Sequence, residues 1–192
     1  MTPLFSSLGE GLLFWVTVVG VYGAVIAFGP TRLRLDERKL QRKRRKEFSP
    51  FLLIVALTAA ILIGYTRIGA LPHWLFYPGL MLFILGYAFT GYSIRLLGRY
   101  YSTYVDVLPD HTVVERGPYR LIRHPNYLGQ LVGAIGLGLA LQSWVAWLVL
   151  VGAAVGYFAY RIRNEEAFLV AEMGTNYADY MTRTKRLVPF VF

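Results

Sequence analysis

Residues 127–160 read YLGQLVGAIGLGLALQSWVAWLVLVGAAVGYFAY, a run of 34 residues without a charged side chain. A helix that crosses a lipid bilayer needs about 20 mostly apolar residues. This run is therefore too long for one crossing and of suitable length for two. The polar pair Gln142 and Ser143 lies near its middle and predicts the turn between the two helices. We predict a transmembrane helical hairpin over residues 127–160.

Glycine recurs along the first half of this hairpin, at Gly129, Gly133, Gly136 and Gly138. A nucleotide-binding loop would require a strand directly before it. These glycines instead lie within an apolar span that no strand precedes. Glycines within an apolar helix let a second backbone approach closely. We expect these positions to face a neighbouring helix.

Three more uncharged apolar stretches precede the hairpin, at residues 11–28, 48–65 and 75–94. A soluble helical protein would interrupt such stretches with polar residues at the helical period. The composition agrees, since 16% of the residues are charged against about 25% in soluble domains. The predicted fold class is all-α: a single domain, residues 1–192, forming an integral membrane bundle of five transmembrane helices. Three of these helices occupy residues 1–95, and the first is expected to be retained because no positive residue precedes it.

Positive charge is divided unevenly between the loops of this bundle. If the five spans alternate in direction, 19 of the 20 lysine and arginine residues fall on one side, and Arg67 falls on the other. By the positive-inside rule, the N-terminus lies outside and the C-terminus lies in the cytoplasm. Residues 96–126 then form a cytoplasmic loop, and residues 161–192 form a cytoplasmic C-terminal segment with a helix.

A dense basic run from Arg32 to Lys46 contributes nine of these charges. It either attracts anionic lipid headgroups, at roughly 1 kcal/mol per residue, or serves only to orient the protein. Nucleic acid is not an expected partner despite the net charge of +9, because no aromatic residue interrupts the run and no nucleic-acid-binding motif is present. The chain has no cysteine, and no arrangement of histidine and glutamate resembles a zinc site, so neither thiol chemistry nor a metal site is predicted.

Two polar segments carry the candidate chemistry, and the first is GPYRLIRHPNYLG at residues 117–129. Pro125 suits the first position of a helix and restrains His124 from the helical conformation, so a helix is expected to begin there with His124 as its cap. The free amides of the next two residues would then attract a carboxylate or phosphate. Tyr119 and Tyr127 would add aromatic walls for an adenine ring or a sulfonium cation. The alternative is an interfacial turn whose arginine and histidine reach lipid headgroups.

The second polar segment is RIRNEEAFL at residues 161–169. On a continuing helix, Arg161 and Glu165 lie four residues apart on one face, and Arg163 and Glu166 lie three apart on another. These residues either form ion pairs on the helix surface, worth about 0.2–0.5 kcal/mol each, or present two carboxylates to a cationic ligand. In the second interpretation, one carboxylate orients Arg161.

Taken together, the two segments resemble the signature of the isoprenylcysteine carboxyl methyltransferase family, a branch of the small membrane methyltransferases that also includes phospholipid methyltransferases. The resemblance covers about residues 104–189. It rests on these residues, in this order: His111-Thr112-Val113-Val114, Gly117-Pro118-Tyr119, Arg123-His124-Pro125-Asn126-Tyr127 with Gly129, Arg161, Glu165-Glu166, Gly174, Tyr177, Tyr180 and Arg186-Leu187-Val188-Pro189.

The resemblance implies a membrane enzyme that binds S-adenosylmethionine at the cytoplasmic face while a lipid acceptor enters from the bilayer. The acceptor expected from it is the carboxylate of a prenylcysteine-like or other lipid substrate. Arg161 would orient that carboxylate, and Glu165 would act with it in the catalytic site. The residues expected to bind the cofactor are His111, Thr112, Val113, Val114, Tyr119, Arg123, His124, Pro125, Asn126, Tyr127, Glu165 and Glu166.

Two other functions compete with methyl transfer. Membrane sterol and lipid reductases that bind NADPH carry a similar Arg-His-Pro-Asn-Tyr-Leu-Gly segment, although their later segment usually reads Arg-Asp-Glu. A membrane scaffold without enzymatic activity is the other alternative. Because a carboxylate acceptor is already ionised at neutral pH, methyl transfer to it requires alignment but no general base.

Overall fold

The computed structural model describes residues 5, 7–28, 51–101, 107 and 111–188. Most of this part is helical, in the order α1 (Leu8–Phe28), α2 (Phe51–Thr66), α3 (Phe76–Leu97), α4 (Pro125–Ala140), α5 (Trp144–Met173) and α6 (Thr175–Arg183). Among the described residues, β-type pairing is limited to two isolated backbone bridges. The all-α prediction is confirmed for these residues. The basic run from Arg32 to Lys46 lies outside them.

Helices α1 to α5 follow the five predicted spans in order. Two helical stretches, His73–Tyr100 and Trp144–Met173, are long and apolar enough to cross a bilayer. Leu8–Ala24 and Phe51–Thr66 are apolar but shorter, and α4 has 16 residues. The count of five membrane spans therefore stays a prediction.

The hairpin between α4 and α5 turns where the sequence predicts. Gln142 is fully buried and has a positive φ of 52°, and the Ser143 hydroxyl caps α5 by accepting a hydrogen bond from the Ala146 amide at 3.2 Å. The loop between α2 and α3 holds this turn, because the Leu71 amide donates to the Gln142 carbonyl at 2.8 Å. α5 then continues past Tyr160 to Met173.

A polar network surrounds the same turn and ties α1 to it. The Gln142 side-chain nitrogen lies 3.1 Å from Nδ1 of His73, and Nε2 of His73 lies 2.9 Å from the Glu10 carboxylate. The Tyr77 hydroxyl also donates to Glu10, at 3.1 Å. Glu10 is buried, so these hydrogen bonds compensate for its loss of water. His73, which lies between α2 and α3, thus links α1 to the hairpin turn.

Helices α3 and α4 approach closely because glycines meet at their interface. A β-carbon on Gly86 of α3 would lie 2.5 Å from the backbone nitrogen of Gly133. Gly129 and Gly136 of α4 meet the backbone of α3 in the same way, whereas Gly138 packs against Trp147 of α5. The prediction that these glycines serve helix packing is confirmed.

The interface makes Gly86→Ala a test of the packing, with Gly91→Ala on the same helix as its control. We expect Gly86→Ala to lower the thermal midpoint in detergent, since overpacking typically costs about 1–3 kcal/mol. A β-carbon on Gly91 meets no atom within 4 Å, so Gly91→Ala should leave the midpoint unchanged or raise it slightly through helix propensity. Equal midpoints for the two variants would contradict the close approach of α3 and α4.

Candidate functional site

A cavity lies where the first turns of α4 meet the second half of α5. Segments from the end of α3, the loop before α4, and α6 complete its wall. The residues predicted for the site that line it are His111, Val113, Val114, Tyr119, Arg123, His124, Asn126, Tyr127 and Glu165. The two polar segments of the sequence therefore meet around one cavity.

The loop before α4 is held in place from two sides. Residues 117–120 form a 3-10 turn, and α4 begins at Pro125 with His124 before it, as predicted. On one side the Thr90 hydroxyl of α3 donates to the Asn126 carbonyl at 3.2 Å. On the other side residues 121–124 pair with residues 184–188, which we call the C-terminal strap.

The pairing with the strap is a short parallel bridge. The Arg123 amide donates to the Lys185 carbonyl at 2.7 Å, and the His124 amide donates to the Arg186 carbonyl at 3.0 Å. In return the Lys185 amide donates to the Leu121 carbonyl at 3.0 Å. These bonds fix the backbone directly before α4, and with it the direction of the side chains that enter the cavity.

Arg161 and Glu165, predicted to share a helix face, are joined through Tyr127. Arg161 Nε donates to the Tyr127 hydroxyl at 2.7 Å, and that hydroxyl donates to Glu165 Oε2 at 2.6 Å. Arg161 also donates to the Tyr157 hydroxyl at 3.0 Å. Glu165 and Tyr127 line the cavity, whereas Arg161 is not one of its wall residues. The network fixes the orientation of the Glu165 carboxylate.

Aromatic rings form much of the cavity wall. The His124 ring stacks on Tyr127 with centroids 5.5 Å apart, and Tyr100 stacks on His111 at 4.5 Å. Burial raises the pKa of Tyr119 and of Tyr177, so both phenols stay protonated at neutral pH. The buried Tyr119 hydroxyl has no hydrogen-bond partner among the described residues. It is a donor available to a ligand.

Glu166 points away from the cavity although it follows Glu165 directly. Its side chain is 4% exposed and accepts hydrogen bonds from Arg123 Nε at 2.7 Å and from Arg186 Nε at 2.9 Å. His124 Nε2 lies 3.4 Å from the same carboxylate. The alternative of a surface ion pair with Arg163 is therefore not what the structure contains. Burial alone would raise the pKa of Glu166, but contact with His124 and Arg123 outweighs it and lowers the pKa to about 2.

Two further residues of the predicted site are absent from the cavity wall, and one amide predicted to bind an anion is already hydrogen-bonded within the chain. Thr112 is outside the cavity wall and donates to the Tyr100 hydroxyl at 3.3 Å. Pro125 is fully buried at the start of α4. The amide of Tyr127, expected to be free for an anion, donates to the His124 carbonyl at 3.1 Å, because the first turn closes on its own cap.

Seven wall residues were absent from the predicted site: Leu97, Tyr100, Tyr101, Leu169, Met173, Tyr177 and Tyr180. Leu169 and Met173 follow Glu165 at intervals of four on α5, so helical periodicity alone would have found them. Tyr177 and Tyr180 belong to the recognised pattern, and the Tyr180 hydroxyl donates to the Tyr119 carbonyl at 2.7 Å. No local signal marks Tyr100 and Tyr101, which follow α3 and lie outside both polar segments.

The fold and the cavity together describe a helical bundle with a cavity beside the open end of its α4–α5 hairpin. The model of the isoprenylcysteine carboxyl methyltransferase family matches residues 79–171, from α3 to most of α5. The family resemblance predicted from the sequence is confirmed by this match.

The chain is also similar in sequence to curated proteins. The chain is 30% identical over 120 residues to protein-S-isoprenylcysteine O-methyltransferase B of Arabidopsis thaliana, covering 62% of this chain and 61% of that protein. It is 34% identical over 100 residues to the cobalt-zinc-cadmium resistance protein CzcN of Cupriavidus metallidurans, covering 52% of this chain and 46% of that protein. The chain thus spans less than two thirds of the length of either relative.

A solved structure has the same fold. It is the eukaryotic intramembrane Ras methyltransferase, an isoprenylcysteine carboxyl methyltransferase, and it superposes with a TM-score of 0.69 at 24% identity. The superposition covers 95% of this chain and 68% of that one. The bundle described here therefore has the fold of an intramembrane protein.

Glu166 lies beyond the predicted membrane span. Its lowered pKa makes the stability of the folded chain depend on pH, and the sign of that dependence can be predicted. The pKa falls from about 4.5 to about 2 on folding, so the ionised carboxylate stabilises the folded state above about pH 4.5. That stabilisation is lost as the pH falls toward 2. Glu166→Gln should have a lower thermal midpoint at neutral pH and a smaller further decrease on acidification. Parallel curves of thermal midpoint against pH for parent and variant would contradict the lowered pKa. The control is Glu172→Gln, which changes an exposed glutamate on the same helix.

Proposed function

We propose that this chain is an S-adenosylmethionine-dependent O-methyltransferase that acts on the carboxylate of a membrane-embedded acceptor, prenylcysteine-like or another lipid. One observation carries the proposal. The hydrogen bond between Tyr127 and Glu165, at 2.6 Å, joins the Arg-His-Pro-Asn-Tyr turn to the acidic pair at one cavity wall. These are the two segments on which the family resemblance rests.

The chemistry of the cavity wall fits S-adenosylmethionine. Tyrosine and histidine faces suit an adenine ring and a sulfonium cation, and the Glu165 carboxylate suits an ammonium group. The Tyr119 hydroxyl supplies a donor that lacks a partner among the described residues. When bound, this cofactor supplies a methyl group activated by a positively charged sulfur. The residues proposed to hold it are His111, Val113, Val114, Tyr119, His124, Asn126, Tyr127 and Glu165.

Four other residues of the predicted set act in this proposal by supporting that wall. Thr112 contacts Tyr100, and Pro125 begins the helix that carries Asn126. Arg123 and Glu166 pair directly beneath the loop.

Arg161 is proposed to orient the acceptor carboxylate. Tyr127 and Tyr157 hold its guanidinium group through two hydrogen bonds, so the side chain is ordered before a substrate arrives. A carboxylate is ionised at neutral pH and needs no base. What the protein contributes is alignment of the two reactants, which can supply about 7–11 kcal/mol of the barrier.

A second cavity fits the apolar part of the acceptor. It lies among the helices, with mostly apolar walls from α1 to α5. Phe158 lines this cavity and stacks at 5.3 Å on Tyr127, which lines the first. A lipid tail in the second cavity would leave its carboxylate next to the Tyr127 and Arg161 network.

The proposed setting is a bilayer crossed by α1 to α5, with the N-terminus outside and the C-terminus and cofactor cavity in the cytoplasm. Exposed apolar side chains support this setting, for example Leu12, Val16 and Val19 on α1, which are 58%, 68% and 66% exposed. Contact with lipid tails would remove this surface from water. The segment from Arg32 to Lys46 would then face the anionic inner leaflet, either as a lipid-binding element or only as an orienting one.

Cofactor choice separates this proposal from the NADPH-dependent reductase and from a scaffold. S-adenosylhomocysteine should raise the thermal midpoint of the detergent-solubilised chain, and NADPH should not. Glu165→Gln should weaken S-adenosylhomocysteine binding roughly 10- to 100-fold, the loss expected for a hydrogen bond to a charged group. Glu172→Gln on the exposed face of α5 should bind like the parent. Stabilisation by NADPH alone would favour the reductase, and no effect of either ligand would favour the scaffold.

Turnover tests the acceptor half of the site. Labelled methyl from S-adenosylmethionine should appear in a short prenylcysteine analogue or in extracted lipid acids. Arg161→Ala should lower that transfer at least about tenfold, because the acceptor loses its charged partner, while S-adenosylhomocysteine affinity changes much less. Arg163→Ala, exposed two residues further along α5, should transfer methyl like the parent. An equal rate for Arg161→Ala and Arg163→Ala would remove Arg161 from the proposed mechanism.

A further inference from the structure

Glu166 is a buried acid for which the proposed chemistry provides no contact with the cofactor or the acceptor. It lies outside the cavity wall, and its two oxygens are engaged by arginines from different parts of the chain. Oε1 accepts from Arg123 in the loop before α4, and Oε2 accepts from Arg186 in the C-terminal strap. The carboxylate therefore bridges α5, the loop and the strap.

Arg123 extends the same bridge toward α6. One of its terminal nitrogens donates to the Met181 carbonyl at 3.1 Å and to the Thr184 carbonyl. These carbonyls lie at the end of α6 and at the start of the strap. Arg123 thus contacts both the Glu166 carboxylate and the backbone of the C-terminal unit, the name we give to α6 and the strap together, so its position depends on both.

The C-terminal unit supplies a wall of the cavity but contains no predicted cofactor ligand. Tyr177 and Tyr180 of α6 line the cavity. Between α6 and the rest of the chain, the pairing of residues 121–124 with the strap is short, and the exposed pair of Arg183 with Glu115 contributes little. The buried Glu166 carboxylate, with arginine donors from the loop and from the strap, is a further polar link on this side, beside the hydrogen bond from Tyr180 to the Tyr119 carbonyl.

We infer that Glu166 is a positioning residue that fastens the C-terminal strap and α6 against the loop before α4, and so shapes the cavity without touching its ligand. The inference rests on the proposed function only for the identity of that ligand. The two adjacent glutamates of α5 then have different roles. Glu165 faces the ligand, and Glu166 holds the wall that closes behind it.

Closure of the strap and ligand binding are then coupled, and the coupling is reciprocal. A ligand that contacts α6 binds most tightly when the strap is fastened. The same ligand must slow the opening of the strap when it binds. A residue that serves only the general stability of the bundle would not produce this local and mutual effect.

The test measures affinity and local opening together in the full-length chain in detergent. Arg186→Gln removes the partner of Glu166 on the strap and keeps the hydrogen bond between Glu166 and Arg123, so we expect the variant to fold. Glu166→Gln is the companion variant. Hydrogen exchange is followed at the Arg123, His124 and Lys185 amides, the donors of the strap pairing, with S-adenosylhomocysteine as the probe ligand.

Arg186→Gln should bind S-adenosylhomocysteine between about 10- and 100-fold more weakly, as for a mutation that displaces a site from a distance. Its three reporter amides should exchange faster, and saturating ligand should slow them again. Glu165→Gln should lose affinity without faster exchange at these amides. Arg183→Gln, which removes an exposed pair in the same unit, should match the parent in both measurements.

Two results would overturn the inference. One is unchanged exchange in Arg186→Gln, and the other is faster exchange without loss of affinity. If the parent chain does not bind S-adenosylhomocysteine at all, the proposed function fails. In that case the exchange measurement by itself decides whether Glu166 and Arg186 fasten the strap.

Discussion

The antiparallel geometry of the α4–α5 hairpin is the constraint on which the site depends. A turn of three residues, 141–143, joins Ala140 to Trp144, so positions equally distant from the turn meet across the hairpin. Tyr127 and Tyr157 each lie about four helical turns from it, and both hydroxyls accept from Arg161. An apolar hairpin with tight packing on α3 and α2 therefore brings the polar end of α4 beside the polar half of α5.

Features that depend on local chemistry were predictable from the sequence. The starts of α4 at Pro125 and of α5 after Ser143, the hairpin turn and the glycine interface each follow from residue types within a few positions. Features that depend on distant partners were not. The strap pairs Lys185 with Leu121 across 64 residues of chain, and Glu166 selects Arg123 and Arg186 over the nearby Arg163. Helical spacing identifies candidate pairs but does not decide which face is buried.

Burial explains why two adjacent glutamates are so different. Successive residues on a helix point about 100° apart, so Glu165 reaches the cavity while Glu166 reaches the loop and the strap. A buried carboxylate is stable only with several donors, and Glu166 has arginine donors from two segments. Glu165 instead keeps a neutral phenol as its partner. This leaves most of its negative charge available to a cation, which a guanidinium partner would have neutralised.

Tyr127 joins the two halves of the proposed reaction through its ring and its hydroxyl. The ring stacks on His124 at the first cavity and on Phe158 at the second. Its hydroxyl accepts from Arg161 and donates to Glu165. A displacement of the ring would therefore disturb the cofactor side and the acceptor side at the same time. Since methyl transfer to a carboxylate needs alignment and no proton transfer, a rigid element shared by both binding sites contributes more to the proposed rate than an added acid or base would.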